Sequence, residues 1–474
     1  MVGIRSYSAY IPFNRLARAE IAEAWGGPAL PGEKAVASYD EDSLTMAVAV
    51  AIDCTKGIDP KSIDGIYFAS TTSPYKEKQA AATIAQVLNL DEQTFTVDFA
   101  GSLRCGTNAL RAAMDAVNSG SAKNVLVCAS DVRLGYPNGA KEMDFGDGAA
   151  ALLISSDEVA VTIENSFSRY NEIMDMWRSD KDLYVRFWED GFAYGKGYAK
   201  VVPETVSAAA KKYNLAPKDF SKAAMYAPNA RQLSVVARSL GLDLKSQVQD
   251  ALHSTVGNTG AAMALMSLVA AIEEAKAGDR ILLVNYGNGC DVFTLKVTEE
   301  IENTRNRPGI KSYLASKQVL PGGYQRYLRW RELIEVEPPK RVPLGEPSAV
   351  ALWRDNKGGL ALYGVKCKRC GTPQYPVQRV CTNCGAKDEF EDYCFADKKG
   401  KVIAFSHDVL GVSLDPPITG TVVDFDGGGR ILFDMTDRVP EQVKVGMEVE
   451  PTFRWVRNVF GIYDYWWKCR PIRV

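Results

Sequence analysis

One cysteine of the chain has the position of a catalytic nucleophile. Cys105 lies in the segment TFTVDFAGSLRCGTNALRAAMDAV, directly after a predicted strand and a turn of small residues, at the start of a predicted helix. The free N–H groups and the positive dipole end of a helix favour a thiolate and stabilise an acyl oxyanion. A free cysteine is also commonly a small buried apolar residue, so position alone leaves both interpretations open.

Two glycine-rich segments add the polar groups that acyl transfer requires near a thiol. VGNTGAAMALMSLVAAIEEA places Asn258 at the entrance of a predicted helix, and NYGNGCDVF places Asn288 between Gly287 and Gly289 in a turn. Such turns bring backbone N–H donors close to a reacting carbonyl. Each segment alone is equally typical of a plain connection between elements.

Four other cysteines have the spacing of a metal site. Cys367 and Cys370 form one C-x-x-C pair, and after ten intervening residues Cys381 and Cys384 form a second. Four thiolates at this spacing close a tetrahedral Zn²⁺ site that has a structural role, because no position stays open for catalysis. We interpret Cys54, Cys128, Cys290, Cys394 and Cys469 as packed residues.

The elements that position these residues alternate between helix and strand. The expected order is a helix at 42–55, a strand at 63–70, a helix at 78–88, a strand at 94–99, the helix after Cys105 and a strand at 124–129. Residues 200–298 repeat the plan, with helices at 203–213, 230–240 and 259–275 and strands at 223–227, 280–285 and 292–297. This alternation predicts a duplicated α/β fold with largely parallel sheets.

The last third of the chain has a different pattern. Residues 309–333 read as a basic amphipathic helical segment ahead of PPKRVPLGEP, and five short strands follow at 401–410, 419–425, 430–435, 447–457 and 463–474. Five closely spaced strands suit a small barrel of the OB type. We therefore predict five segments, at 1–165, 166–300, a linker at 301–350, a zinc ribbon at 351–396 and an OB-fold at 397–474.

Composition and charge limit the partners. The net charge is −2, and residues 401–474 hold nine Lys and Arg against ten Asp and Glu, which argues against nucleic acid and an anionic membrane surface. The start of the chain has no apolar run of signal-peptide length. Together with ten scattered or metal-spaced cysteines, this predicts reduced thiols and a cytoplasmic location.

Residues 3–298 resemble the condensing branch of the thiolase superfamily: β-ketoacyl synthase III and, more closely, 3-hydroxy-3-methylglutaryl-CoA synthase. The similarity lies in GIRSYSAYIPFNRL, the Cys105 turn, DFGDGAAALLIS, the APN of residues 227–229, VGNTGAA, the YGNG turn, and DMWRSDKDLYVRFWEDGFAYGKGYAKVV, which is similar to an insertion of the synthase. The resemblance implies a five-layered duplicated αβαβα fold, a homodimer, and acyl-CoA that acylates the cysteine.

Two acid/base residues of that family differ in this chain. Thr72 stands where the synthase has a glutamate, and Tyr226 stands where it has a histidine. A Claisen-type reaction still needs a group that moves a proton at the carbon next to the thioester. His253, five residues before Asn258, is our candidate base, and Tyr226 and Glu77 are weaker candidates.

Residues 310–474 resemble the zinc-ribbon and OB-fold family that accompanies acyl-CoA enzymes. That resemblance implies a module that holds CoA or binds a partner thiolase. We predict an acyl-CoA acyltransferase that forms, or in reverse cleaves, a carbon–carbon bond through an acyl-Cys105 intermediate. Asn258 would polarise a thioester carbonyl, and the N–H groups of Cys105 and Gly289 would hold the oxyanion. The alternatives are a degradative β-ketoacyl-CoA thiolase and a non-catalytic acyl-CoA-binding scaffold.

Overall fold

The computed structural model describes residues 1–337 and 348–473. These residues form two compact units. Unit 1 contains residues 1–37, 42–84 and 91–324, and unit 2 contains residues 38–41, 85–90 and the described residues from 325 onward. The segment PPKRVPLGEP of the predicted linker lies outside the described residues.

The helices and strands of the described residues are as follows. The α-helices are α1 (Arg18–Trp25), α2 (Ser43–Thr55), α3 (Ala80–Val87), α4 (Cys105–Ser119), α5 (Ala140–Asp144), α6 (Asp190–Phe192), α7 (Ala199–Tyr213), α8 (Ala230–Ser239), α9 (Met263–Glu274), α10 (Ile310–Ala315), α11 (Gly323–Trp330), α12 (Ala349–Arg354) and α13 (Asn356–Gly359). The strands of unit 1 are β1 (Gly3–Tyr10), β2 (Asn14–Ala17), β3 (Glu33–Val36), β4 (Gly65–Ala69), β5 (Phe95–Phe99), β6 (Asn124–Asp131), β7 (Gly148–Ser155), β8 (Val161–Tyr170), β9 (Met176–Trp177), β10 (Arg186–Phe187), β11 (Lys222–Met225), β12 (Arg280–Tyr286), β13 (Gly289–Val297) and β14 (Gln318–Val319). Those of unit 2 are β15 (Tyr363–Cys367), β16 (Pro373–Gln374), β17 (Phe390–Cys394), β18 (Gly400–Asp408), β19 (Ile418–Phe425), β20 (Arg430–Asp434), β21 (Glu448–Val459) and β22 (Ile462–Pro471).

Unit 1 is built around a nine-stranded sheet with the order β11-β12-β13-β8-β1-β7-β6-β4-β5. From its centre outward, one half runs β1, β7, β6, β4, β5 and the other runs β8, β13, β12, β11. In both halves the first two pairings are antiparallel and the next is parallel. In the second half, a parallel bridge between Ala223 of β11 and Val248 corresponds to the parallel β4–β5 pairing of the first half. The two halves share one topology, which confirms the predicted duplication. The prediction of a largely parallel sheet is wrong, because five of the eight strand pairings in this sheet are antiparallel.

Helices α4 and α9 occupy equivalent places in the two halves. Helix α4 follows β5, the outermost strand of its half. Helix α9 follows the segment around Val248, which takes the outermost position in the other half, and both helices bury apolar side chains. Helix α9 is buried from Met263 to Ile272, as expected of a helix covered on all sides. The duplication therefore brings two equivalent helix starts into the interior of unit 1.

Unit 2 contains a small three-stranded sheet, β16-β15-β17, and a five-stranded antiparallel sheet, β20-β19-β18-β21-β22. A parallel bridge between Met435 and Cys469 joins the outer strands and closes the larger sheet. This arrangement confirms the predicted ribbon and OB-type barrel. The predicted amphipathic segment is interrupted: α10 and α11 are separate, because the short strand β14 and then Pro321 and Gly322 intervene.

Within the described residues, no helix has the length and apolar character needed to cross a membrane. All ten cysteines lie in this part of the chain, and none forms a disulfide.

Candidate active site

The thiol of Cys105 is the first side chain of helix α4 and is fully buried. Its helix starts close to the turn at Gly260–Ala262 that leads into α9, since a Cβ on Gly106 would lie 2.8 Å from the carbonyl oxygen of Ala261. Only glycine permits this approach. The nucleophile candidate therefore lies against the entrance of the equivalent helix of the second half.

Burial raises the pKa of Cys105 well above its ordinary value, and the nearby charge of Asp131 raises it further. The N–H groups of Gly106 and Cys105 lower it, but to a smaller extent. The sequence argument expected the helix terminus to favour the thiolate. In the closed site, burial outweighs that effect, so Cys105 is a thiol that must lose its proton when it reacts.

The turn that holds Gly289 fixes the chain just before and within the start of α4. Ser102 Oγ and Arg104 Nε donate to the carbonyl oxygen of Gly287 at 2.7 and 2.8 Å. Arg104 Nη1 and Thr107 Oγ1 donate to the carboxylate of Asp291 at 2.8 and 2.7 Å. These bonds position Cys105 from both sides, and the sequence analysis did not identify Arg104 or Asp291.

Asn258 and Tyr226 are hydrogen bonded to each other. Asn258 Nδ2 donates to Tyr226 Oη at 3.3 Å, and Asn258 Oδ1 accepts from the N–H of Gly260 at 3.0 Å. Both side chains are buried. Burial raises the pKa of Tyr226, so its hydroxyl keeps its proton and, besides accepting from Asn258, can donate to a substrate oxygen. The structure therefore brings together two of the predicted site residues at the start of the α9 segment.

Thr72 is part of a network around the buried carboxylate of Asp131 at the end of β6. This carboxylate accepts from Thr72 Oγ1 at 3.0 Å, from the N–H of Thr71 at 2.7 Å and from the N–H of Ala261 at 2.8 Å. Thr72 Oγ1 in turn accepts from the N–H of Val132 at 2.9 Å. Thr72 thus has a positioning role between the two halves. Asp131 was also missed by the sequence analysis, because one aspartate at a strand end carries no distinctive spacing.

His253 lies apart from these bonds. Its carbonyl oxygen accepts from Arg18 Nη2, and its imidazole Nε2 has no hydrogen-bond partner among the described residues. Burial, with a smaller contribution from the Arg18 charge, lowers the pKa of His253 to about 4, so the ring is neutral at pH 7. No hydrogen bond or ion pair of the described residues joins His253 to Cys105, and the role of His253 as the base stays a prediction.

A cavity of about 580 Å³ adjoins this group of residues. It is lined by residues from the segment after β4, the turn before α4, the insertion that holds β9 and β10, and the turn at Tyr286–Asn288. The lining includes Ser102, Leu103 and Gly287, which lie next to Cys105 in the fold. The cavity therefore reaches the turn just before α4, although Cys105, Asn258 and Tyr226 are not among its lining residues.

The four cysteines of the ribbon converge as a metal site. Their Sγ atoms all lie within 4.8 Å of one another, with 3.7 Å between Cys367 and Cys384 and 3.5 Å between Cys370 and Cys381. Zinc–sulfur bonds of about 2.3 Å in a tetrahedron place sulfur atoms about 3.8 Å apart. The arrangement fits the structural zinc that the spacing predicts.

Loss of one zinc ligand is expected to unfold the ribbon. In a Cys381→Ser variant, native mass spectrometry should find no bound zinc, and thermal unfolding of unit 2 should begin at a lower temperature, because binding of the metal contributes directly to folding. Cys394→Ser is the matched control, since Cys394 lies outside the four-cysteine cluster. Retention of one zinc per chain by the Cys381→Ser variant would show that the cluster is not the site.

Comparison with known proteins supports each part of this architecture. Residues 97–169 match the family described as 3-oxoacyl-[acyl-carrier-protein (ACP)] synthase III, and residues 210–297 match its C-terminal part. Residues 360–391 match the ChsH2 rubredoxin-like zinc ribbon domain, and residues 395–454 match the ChsH2 C-terminal OB-fold domain. The ribbon and barrel are thus assigned by sequence as well as by fold.

Whole-length relatives give the same assignment for the first unit. The chain is 33% identical to a hydroxymethylglutaryl-CoA synthase of Pyrococcus horikoshii over 67% of this chain and 93% of that protein. It is also 33% identical to the same enzyme of Methanosarcina mazei, over 71% of this chain and 99% of that protein. Solved structures share the fold at 20% identity: an HMG-CoA synthase complexed with CoA (TM-score 0.63, covering 69% of this chain and 89% of that one) and MvaS with 3-hydroxy-3-methylglutaryl coenzyme A (TM-score 0.64, 72% and 94%).

Proposed function

Because the chain belongs to the hydroxymethylglutaryl-CoA synthase family, we propose that it is an acyltransferase that takes an acyl group from CoA onto Cys105 and joins it to a second acyl-CoA. One observation carries the proposal. The buried thiol of Cys105 and the amide of Asn258 lie at equivalent helix starts of the two halves, and a cavity reaches the turn just before Cys105. CoA is proposed as the carrier because a protein of the same fold is complexed with it.

The chemistry divides into an acylation and a condensation. In the first step the Cys105 thiol loses its proton and attacks the thioester carbonyl, and CoA leaves as a thiol. The N–H groups of Cys105 and Gly289 are proposed to hold the oxyanion of this step. In the second step a base, for which His253 is the candidate from the sequence, is proposed to remove a proton from the carbon next to the thioester of the second acyl-CoA, and Asn258, with the Tyr226 hydroxyl, to stabilise the resulting enolate. The enolate attacks the carbonyl of the acyl group on Cys105, the bond from that carbonyl to sulfur breaks, and Cys105 leaves as a thiol that takes up the proton.

The two acid/base candidates are distinguished by parallel variants. Tyr226→Phe removes the only hydroxyl that Asn258 contacts among the described residues, so we expect normal acylation but a condensation rate lowered by roughly 100-fold. If Tyr226 is the acid/base group, the His253→Ala variant is expected to keep a condensation rate within about threefold of the native rate. If His253 is the base, as the sequence-based hypothesis holds, the condensation rate of this variant is expected to fall by a large factor. Single-turnover measurement of each step decides between them. Equal condensation rates in native protein and Tyr226→Phe would exclude the tyrosine.

Two other functions have specific support. The same residues would serve cleavage of a β-ketoacyl-CoA, because the reaction is reversible and its direction depends on substrate supply. A scaffold that binds acyl-CoA without turnover is favoured by Thr72, whose hydroxyl is bonded to Asp131 and Val132 in place of an acid/base role. A protein that binds acyl-CoA but forms no covalent adduct would be the scaffold.

Unit 2 and the oligomeric state complete the proposal. We propose that the ribbon and barrel hold CoA or bind a partner thiolase; the exposed apolar residues Val409, Leu410 and Leu432 support a protein-binding role.

A homodimer through β5 is supported by the place of β5 at the edge of the sheet and by Phe95, which is 62% exposed there. A cytoplasmic location is supported by the unpaired cysteines.

A further inference from the structure

Arg133 is a buried cation in the cavity beside the Cys105 turn, and it forms no ion pair within 4 Å among the described residues. Its side chain lines that cavity and the residue is 4% exposed. Its Nη1 atom has no hydrogen-bond partner among the described residues, and Nη2 contacts Met176 Sδ at 2.7 Å. A guanidinium stays charged in proteins, so a buried one without an ion pair destabilises the fold unless an anion binds to it.

The nearby carboxylates are already bonded to other groups. Asp131 accepts hydrogen bonds from Ser70, Thr71, Thr72 and Ala261. Asp175, which also lines the cavity, accepts from Tyr286 Oη at 2.6 Å and from the N–H of Met176 at 2.7 Å. Neither carboxylate forms an ion pair with Arg133 in the part of the chain that the structure describes. The cavity therefore holds an unpaired positive charge at a fixed position.

Arg133 lies next to Gly260, where the Asp131 carboxylate also approaches, since a Cβ on Gly260 would contact both Asp131 Oδ2 and Arg133. Its Cδ atom is 2.6 Å from where a Cβ on Gly260 would stand, and the N–H of Gly260 is bonded to Asn258. Its guanidinium carbon is 4.3 Å from the ring centre of Phe145. A second buried donor, Ser73 Oγ, lines the same cavity and also has no hydrogen-bond partner among the described residues.

From these contacts we propose that the acyl group handled at Cys105 carries a free carboxylate, which Arg133 binds with help from the Ser73 hydroxyl. The substrate class is the CoA thioester of a short dicarboxylic acid. A guanidinium binds a carboxylate through two parallel hydrogen bonds, whereas a plain alkyl chain would leave the buried charge unpaired. This inference rests on the proposed function, since it names the substrate of the same site.

The native protein provides the first test. Succinyl-CoA and butyryl-CoA have acyl chains of the same length and differ in whether the far end is a carboxylate or a methyl group. Rapid-quench measurement of Cys105 acylation is expected to favour succinyl-CoA by roughly 100-fold, the range of a hydrogen-bonded charge pair. Butyryl-CoA reacting as fast as succinyl-CoA would overturn the carboxylate proposal and leave the acyltransferase proposal standing. If neither thioester acylates the protein, the proposed acyltransferase function is itself contradicted.

Variants then assign the preference to Arg133. Arg133→Met removes the buried charge at similar volume and is expected to abolish the preference by slowing the succinyl reaction alone. Arg178→Gln is the matched control, because it removes an exposed positive charge lining the same cavity and is expected to keep the ratio of the two rates. If the ratio of the succinyl-CoA rate to the butyryl-CoA rate is the same in Arg133→Met as in the native protein, Arg133 is not the group that binds the carboxylate.

CoA itself carries phosphate groups that a guanidinium also binds. The comparison is therefore repeated with succinyl- and butyryl-pantetheine, which lack those phosphates. If the acyl carboxylate is the ligand, the preference and its loss in Arg133→Met both persist. If the effect of Arg133→Met disappears with pantetheine thioesters, Arg133 binds a phosphate and the proposal is wrong.

Discussion

Replacement of Cys105 by alanine is expected to lower the steady-state turnover of acyl-CoA by roughly 1,000-fold or more, because removal of a covalent nucleophile abolishes the acyl-enzyme route. The thiol is buried at the start of α4 and fixed by the turn that holds Gly289. Steady-state release of CoA measures the loss directly.

Cys128→Ala is the matched control for this variant. Cys128 is also buried in unit 1, but it lies inside β6 and far from a helix start in the sequence. Its replacement is expected to cost only a small packing contribution and to keep turnover within severalfold of native. Turnover of the Cys105→Ala variant close to that of Cys128→Ala would show that the thiol is not the nucleophile.

Replacement of Arg454 by methionine is expected to destabilise unit 2 by about 3–5 kcal/mol, the usual cost of removing one partner from a buried ion-pair cluster. Arg454 is 1% exposed and pairs with Glu41 at 2.7 Å and with Asp437 at 2.6 Å. Asp40 lies 3.5 Å away and also pairs with Lys468 at 2.9 Å. Without Arg454, these carboxylates stay in the interior of the unit with fewer cations.

Urea unfolding followed by tryptophan emission measures this change, with Arg457→Met as the control on the same strand. Arg457 forms an ion pair with Asp464 at 3.0 Å, but its side chain is 34% exposed, so its loss is expected to cost less than about 1 kcal/mol. Equal midpoints for the two variants would contradict the account of the cluster.

The same cluster predicts a pH dependence. Burial alone would raise the pKa of Asp40, but Lys468 and Arg454 together hold it below its ordinary value. A carboxyl group whose pKa is lowered by folding stabilises the folded state fully above its unfolded pKa of about 4. That contribution is lost as the pH falls through the lower folded value.

The alternation of helices and strands could be predicted from the sequence because each core element is marked by apolar residues and bounded by Gly, Pro or polar turns. The predicted strand at 63–70 is β4 at Gly65–Ala69, and the five barrel strands are found within three residues of their expected ends. Duplication followed from comparing the two series of elements. The sheet topology confirms it, since both halves have the same order of pairings.

Two central strands were missed, β1 and β8, which join the halves of the sheet. Their segments GIRSYSAY and VTIENSFSRY contain many polar residues, several of which are buried by neighbouring strands, so the apolar pattern is weak. The sequence also gave no sign that Ser38–Glu41 belongs to unit 2. That placement depends on the ion pairs of Asp40 and Glu41 with Arg454 and of Asp40 with Lys468, which lie more than 410 positions away in the chain.

The candidate site was predicted in part. The positions of Cys105 and Asn258 follow from their places at helix starts, and the structure shows why these places meet: they are equivalent in the duplicated fold. The groups that fix them, Arg104, Asp131 and Asp291, were not predicted, because ion pairs and networks between distant segments leave no local pattern. Arg133 was missed for the same reason.

The central claim is tested most directly by the intact mass of the protein after incubation with acetyl-CoA, succinyl-CoA and butyryl-CoA, for the native chain and for Cys105→Ala. The account predicts a mass increase equal to one acyl group in the native protein, located on the peptide that contains Cys105, and no increase in the variant. An unmodified native protein with every thioester, or an equal increase in Cys105→Ala, would contradict it.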